Sequence, residues 1–259
     1  MRSLIYYLFL WSCVLYVPAI LSAAIGWKRL RNVFFVLGVG LMSSSCIVRV
    51  YYNWPLMGLF QEPYLISLFA AIITLYLYLH AEEEDKTYAV VTGTASVIIS
   101  FYALLFPGDI YLSFVKTNSI FAHLFSVLSS LARAAYMCSG ALSLWMLIAG
   151  TFSGNEIKGS GQVLIKNLIM TGFALHSVGM FFGGLWSYAG WGIPVQWESH
   201  LFLGMAGVWF FYSFYLHLHW AGRVKRESLF LAASLGGILV FIFTFLPETG
   251  KLRLPELMR

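Results

Sequence analysis

The chain has 259 residues, 60% of them hydrophobic and 10% charged, with a mean hydropathy of +0.79. A soluble domain carries about 25% charged residues, because it must face water with polar groups, so this composition excludes one and fits a chain solvated by lipid. The net charge is +5, but the basic residues stand in short clusters between apolar runs, which excludes a phosphate-tracking surface and matches membrane loops.

The first apolar run, 4–26, ends at Lys28, Arg29 and Arg31. It is too long and aromatic for a signal peptide, and its positive cluster follows the apolar run. It is expected to be a first span with the N-terminus outside. Further runs follow at 32–50, 63–80, 86–105, 119–150, 166–186, 201–221 and 228–246. A crossing needs about 20 apolar residues, and lipid offers no partner for open backbone groups, so each run is expected to be a helix. The fold class expected is all-α, a polytopic transmembrane bundle of about eight spans forming one domain over 1–259. The segments between runs are polar: 82–86 is acidic with a terminal lysine, 107–109 is Pro-Gly-Asp, and 153–161 holds glycines and Asn155.

Lys and Arg set the orientation. The loops after spans one, three, five and seven hold Lys28, Arg29, Arg31, Lys86, Lys158, Lys166, Arg223, Lys225 and Arg226. The N-terminus and the intervening loops hold only Arg2, Arg49 and Lys116, so the first set is expected inside and both termini outside. Cys13, Cys46 and Cys138 lie within apolar runs and form no Cys-x-x-Cys, so neither a redox pair nor a covalent haem site is present.

The segment from Gly183 to His200 differs from the other connections. It holds Trp186, Tyr188, Trp191 and Trp197, spaced by glycines, with no basic residue, and ends on Glu198 and His200. An interfacial belt explains one or two such aromatics. A spaced set with close backbone approach suits a large planar ligand. Trp186, Trp191-Gly192 and Trp197-Glu198 resemble in spacing the tryptophan-rich signature of the cytochrome c assembly proteins of the CcsA/ResC and CcmC/CcmF type. Tyr215-Leu216-His217 resembles the end of that family's following helix. Asn118 to His123 resembles the stretch with its first external histidine, and Arg49 to Glu62, with Pro55 and Leu56, resembles an early external motif. The resemblance runs in order along most of the chain.

The resemblance implies haem b held non-covalently at an external loop by Trp186, Trp191, Gly192, Trp197 and Glu198. His123 would be an axial ligand and His217 a membrane histidine that receives haem. It implies delivery of haem to apocytochrome c with a CcsB/ResB-like membrane subunit, as part of a haem-lyase system, in a bacterial inner membrane or a thylakoid. The chain departs from the pattern at Val195, where the family has tryptophan, at Glu198 in place of aspartate, and at Ser199-His200-Leu201. No histidine follows His219, so the family's second external ligand is absent and the chain reads as a divergent member.

The residues can be weighed apart from any family. Imidazole is a good iron ligand, and His123 and His200 flank the tryptophan segment, as axial ligands or as wet interfacial side chains. His80 and His219 read as interfacial. His176, in mid-span, is either a ligand or a bond to a neighbouring helix. Arg133 is a charge at bilayer depth, which costs at least about 2.5–3.5 kcal/mol; it faces a ligand or permits close helix approach with its small neighbours. Two other readings stay open. One is a haem-b electron carrier or quinone-reactive anchor using His176 with His217. The other is a transporter or a structural subunit without haem.

Overall fold

The computed structural model describes residues 2–53, 62–80, 86–105, 119–153, 159–195, 197 and 200–249. Among the described residues there are eight helices and no strand: α1 Arg2–Ile25, α2 Lys28–Asn53, α3 Glu62–His80, α4 Lys86–Leu104, α5 Ile120–Ser153, α6 Gly159–Trp191, α7 His200–Ala221 and α8 Arg226–Thr249. Seven of them, all but α7, are long and apolar enough to cross a membrane, so the chain is a multi-pass membrane protein. The turns expected at 82–85, 107–109 and 154–156 lie outside the described residues, as do Pro55, Leu56 and Asn118.

Two helices run well past their expected bounds. α2 begins at Lys28 and so absorbs the basic cluster. α6 spans Gly159–Trp191 where 166–186 was expected, so residues 183–191 are helix and not loop. Glycine pairs read as turns in water. Within an apolar bundle the unbroken i to i−4 ladder is the cheaper way to satisfy the backbone.

The helices fall into two compact units, α1–α4 and α5–α8. In the first, aromatic rings fill the space and hydroxyls bond backbone. Phe9, Tyr16 and Phe35 are fully buried, and Gly38 lets the Tyr16 ring lie flat on α2, since a Cβ there would sit 2.6 Å from it. Ser45 Oγ donates to the Ile5 carbonyl at 2.8 Å, joining α2 to α1. Thr74 and Ser96 hydroxyls meet at 2.9 Å, joining α3 to α4.

Both ends of α2 carry a buried arginine lying over a tyrosine of α3. Arg49 sits 3.8 Å above the Tyr64 ring, and Arg31 sits 4.6 Å above Tyr78. A desolvated cation–π contact contributes about 2 kcal/mol. Tyr64→Leu is therefore expected to lower unfolding free energy by about 2 kcal/mol, read by thermal or denaturant melts of helical circular dichroism in detergent. Tyr76→Leu, at an exposed ring, is the comparison and is expected to stay within about 0.5 kcal/mol of wild type.

In the second unit α5 and α6 run antiparallel along their length. Phe121 stacks on Phe182, Phe125 on Trp186, Ser129 lies against Gly179, and Tyr136 against Gly172. α7 joins through Trp209, whose Nε1 donates to Ser177 Oγ of α6 at 2.9 Å. It joins α5 through Tyr212, which stacks on Tyr136 with ring centres 3.7 Å apart. α8 meets α5 backbone to backbone, as a Cβ on Gly140 would lie 2.7 Å from Gly237 Cα. Such small-residue contacts are how helices associate where lipid removes the hydrophobic drive.

Candidate functional site: the aromatic end of α5 and α6

α5 starts where a capping residue allows it to. Ser119 Oγ accepts a hydrogen bond from the Phe121 N–H at 3.2 Å, satisfying one of the donors a helix start leaves open. This fixes His123 in the first turn, half-buried. Phe121 and Phe125 on either side of it contact Phe182, Gly183 and Trp186. His123 therefore shares the depth of the last turns of α6, but it stands two residues from both phenylalanines, about 200° around α5 from the face that meets Trp186.

The three tryptophans form a gradient from interior to surface: Trp186 is 8% exposed, Trp191 50% and Trp197 71%. Trp186 stacks on Phe125 at 6.0 Å and 28°. Trp191 meets Trp186 edge to face, at 5.3 Å and 77°. The indole Nε1 of Trp186 is buried and has no hydrogen-bond partner among the described residues. Gly183 is needed here, because a Cβ on it would lie 2.8 Å from the Phe125 ring. Gly183 thus serves the close approach of α5 and α6.

Gly192 ends α6. It adopts φ +73°, in the left-handed region that favours glycine, and its N–H donates to the Tyr188 carbonyl at 2.8 Å. The chain then folds back on the helix: Ser187 Oγ donates to the Ile193 carbonyl at 2.7 Å. Gly192 accordingly has a structural reason of its own. Trp197 packs on Phe202 of α7, edge to face at 5.4 Å. His200 opens α7, while Glu198 lies outside the described residues.

The remaining candidates are elsewhere. His176 stands ten residues before Trp186 and Arg133 ten after His123, each about 15 Å along its helix at 1.5 Å per residue. Both are buried, Arg133 at 8% and His176 at 2% exposure, and Tyr136, three residues from Arg133 on α5, meets the His176 ring edge to face at 6.0 Å.

His217, expected as a membrane histidine that receives haem, has an exposed side chain, while Tyr212, Tyr215 and Leu216 take the buried positions of α7. The inward row of α7 runs Met205, Val208, Tyr212, Tyr215 and then His219, whose ring stacks on Tyr215. Helical periodicity puts residues three and four apart on one face, so Tyr215 and His217 cannot both point inward. A haem held between His176 and His217 has no geometric support. The sequence reading also missed the burial of Arg31 and Arg49.

The described residues contain no cluster of three or more metal-ligating His, Cys, Asp or Glu side chains. One imidazole and two indole rings at one helix-pair end, with an uncommitted indole donor, is a different kind of site: it suits a flat, largely apolar ligand with one metal and some acceptor oxygens. No family model, no curated protein and no solved structure matches this chain.

Proposed function

We propose that this protein binds haem b at the aromatic end of α5 and α6 and presents it at the outer membrane face for attachment to apocytochrome c. The observation that carries the reading is that the Trp186–Trp191 pair packs on Phe125 of α5 at the depth of His123. The residues fit haem on three counts. His123 offers an imidazole, Trp191 a half-exposed face, and Trp186 a buried Nε1–H suited to an acceptor oxygen.

Haem, when bound, supplies iron and vinyl groups for thioether formation; the chain's own residues hold and orient it. His123 ligates from the first turn of α5. Trp186 and Trp191 meet edge to face, with Trp186 buried and Trp191 half-exposed, so Trp191 is the ring a partner reaches. His200, at the start of α7, is the second imidazole of this end in the proposal, replacing the histidine missing after α8. α7 is the eighth span, both termini are external, and the membrane is a bacterial inner membrane or a thylakoid. A CcsB/ResB-like subunit and apocytochrome c are the partners that the reading requires.

The test is a pyridine haemochrome spectrum of purified protein. His123→Ala and His200→Ala are each expected to cut haem content by at least about tenfold, the loss of one good ligand or charge-assisted bond. His217→Ala is expected to keep wild-type content, because that ring is exposed and seventeen residues from His200, about 25 Å along the helix. A colourless wild-type protein from haem-replete cells, or a deletion strain with all its c-type cytochromes, sinks the proposal.

A further inference from the structure

The second unit carries most of its positive charge at the end away from Trp186 and Trp191. Its described cations are Arg133, Lys166, Arg223, Lys225 and Arg226. α7 ends at Ala221 and α8 begins at Arg226, so the link between them is the four residues Gly222 to Lys225. Gly222 takes φ +65°, in the left-handed region that favours glycine, and turns the chain tightly. The Lys225 carbonyl accepts the Leu229 N–H at 3.2 Å, which pins the link to α8. Arg223 and Lys225 are exposed on it.

Lys166 joins this link from another helix. Trp209 of α7 donates to Ser177 of α6 at 2.9 Å, and its ring centre lies 5.4 Å from that of Phe173. α6 and α7 are consecutive and antiparallel. Eleven residues beyond that contact on each helix stand Lys166 and Trp220, both about 16 Å along. Periodicity keeps them on facing sides: Lys166, Phe173 and Ser177 share one row of α6, and Trp209, Leu216 and Trp220 share one row of α7. A lysine half-buried at this level sets its stem in the apolar seam and its ammonium at the polar edge. The acidic side chains do not cancel this charge. Glu227, exposed at the start of α8, is one carboxylate against the cations of the link. Glu248 is 21 residues further along α8, about 32 Å away. α5 brings no charge to this end. Glu156 and Lys158, between α5 and α6, lie outside the described residues and are opposite in sign.

The chemistry of a partner follows from what surrounds the cations. Trp220, and Met170 one turn along α6 from Lys166, are exposed apolar side chains. A ligand that meets the whole surface is anionic at its head and apolar behind it. Guanidinium and ammonium groups hold phosphate oxygens by charge-assisted bonds, and an indole at this depth sits where headgroup meets acyl chain. An acidic peptide would satisfy the cations and leave Trp220 and Met170 uncovered. We propose that Lys166, Arg223 and Lys225, with Trp220, form a site for the phosphate headgroup of an anionic phospholipid. It stands whether or not haem binds at Trp186.

The experiment places the purified full-length chain in phosphatidylcholine vesicles and replaces part of the lipid with brominated phosphatidylglycerol or, separately, brominated phosphatidylcholine. Bromine quenches indole fluorescence on contact, so the quenching that disappears in Trp220→Phe reports this site. The expected result is a preference for phosphatidylglycerol at Trp220 of more than about tenfold. Lys166→Gln, Arg223→Gln and Lys225→Gln are each expected to lower it about fivefold, the size of one cation near an anionic headgroup. Arg29→Gln, which removes an exposed cation of the first unit, is expected to leave it within about twofold. Arg223 and Lys225 are exposed, so their variants fold and keep the test decisive even where Lys166→Gln melts early. Equal quenching by the two lipids in wild type overturns the proposal, as does an unchanged preference in Arg223→Gln and Lys225→Gln. A drop in Arg29→Gln as large as in Arg223→Gln overturns it too, by showing a general attraction for basic residues. Release of the quenching by inorganic phosphate at matched ionic strength overturns it in favour of an ion site.

Discussion

Trp186→Ala is expected to lose haem and to destabilise the protein at once, whereas Trp186→Phe is expected to separate the two effects. Trp186 is buried and stacks on Phe125 at the level of His123. Truncating a buried tryptophan to alanine leaves a cavity and costs about 3–5 kcal/mol. Phenylalanine keeps a ring against Phe125 and removes the Nε1–H. That donor has no partner among the described residues, so its removal from the ligand-free protein is expected to change stability by less than about 1 kcal/mol. If the donor serves a haem oxygen, Trp186→Phe binds haemin about tenfold more weakly at nearly unchanged stability. Haemin titration and thermal melts on the same preparations give both numbers. Wild-type haemin affinity in Trp186→Phe removes the indole from the ligand contacts, and wild-type haem content in a folded Trp186→Ala removes the aromatic end altogether.

Gly140→Leu is expected to abolish the folded second unit. The Cβ that any other residue adds at 140 would lie 2.7 Å from Gly237 Cα and 3.3 Å from Gly237 N. Both are backbone atoms of α8, so no rotamer change makes room. Ser234 Oγ donates to the Gly140 carbonyl at 3.2 Å, and a separation of α5 from α8 lengthens that bond as well. Overpacking a close contact costs about 1–3 kcal/mol for small additions and more for large ones. Gly140→Ala is therefore expected to lower stability by about 1–3 kcal/mol and Gly140→Leu to prevent accumulation of folded protein. Gly207 is the comparison: it lies in α7 with nothing within 4 Å of its added Cβ. Gly207→Ala is expected to be neutral or stabilising by about 0.5–1 kcal/mol, through the reduced chain entropy of alanine. Detergent-resistant melting of both variants checks the pair. Equal melting of Gly140→Leu and wild type would show that α5 and α8 are not in contact as described.

How much of the candidate site was legible depends on the residue. The spacing of Trp186, Trp191 and Trp197 stood out in one dimension, and so did the rarity of Arg133 and His176 in apolar runs. Their grouping did not. Read along the chain, all ten stood as candidate ligand contacts, His176 and Arg133 with structural alternatives beside them. In three dimensions Trp186 and Trp191 join each other, Trp197 turns to Phe202, and His176 meets Tyr136 at mid-span. His217 was favoured over His219 by its flanking Tyr215-Leu216. The helix turns the other one inward, because a residue two positions from a buried Tyr215 lies about 200° around the axis.

Composition by itself determined that the chain is helical and crosses a membrane several times, because a 60% hydrophobic chain has no other way to hide its backbone polar groups in lipid. The apolar runs also placed every helix to within a few residues, apart from the ends of α2 and α6. Only the tertiary structure decided which face of each helix looks inward, where α6 stops, and that Arg31 and Arg49 lie over tyrosines instead of in water. The physical reason is that lipid and protein interior are almost equally apolar. Hydrophobic periodicity, which marks the buried face of a helix in water, is therefore weak in this chain, and the inward face is chosen by glycine contacts, hydroxyl bonds and ring stacking between residues distant in sequence.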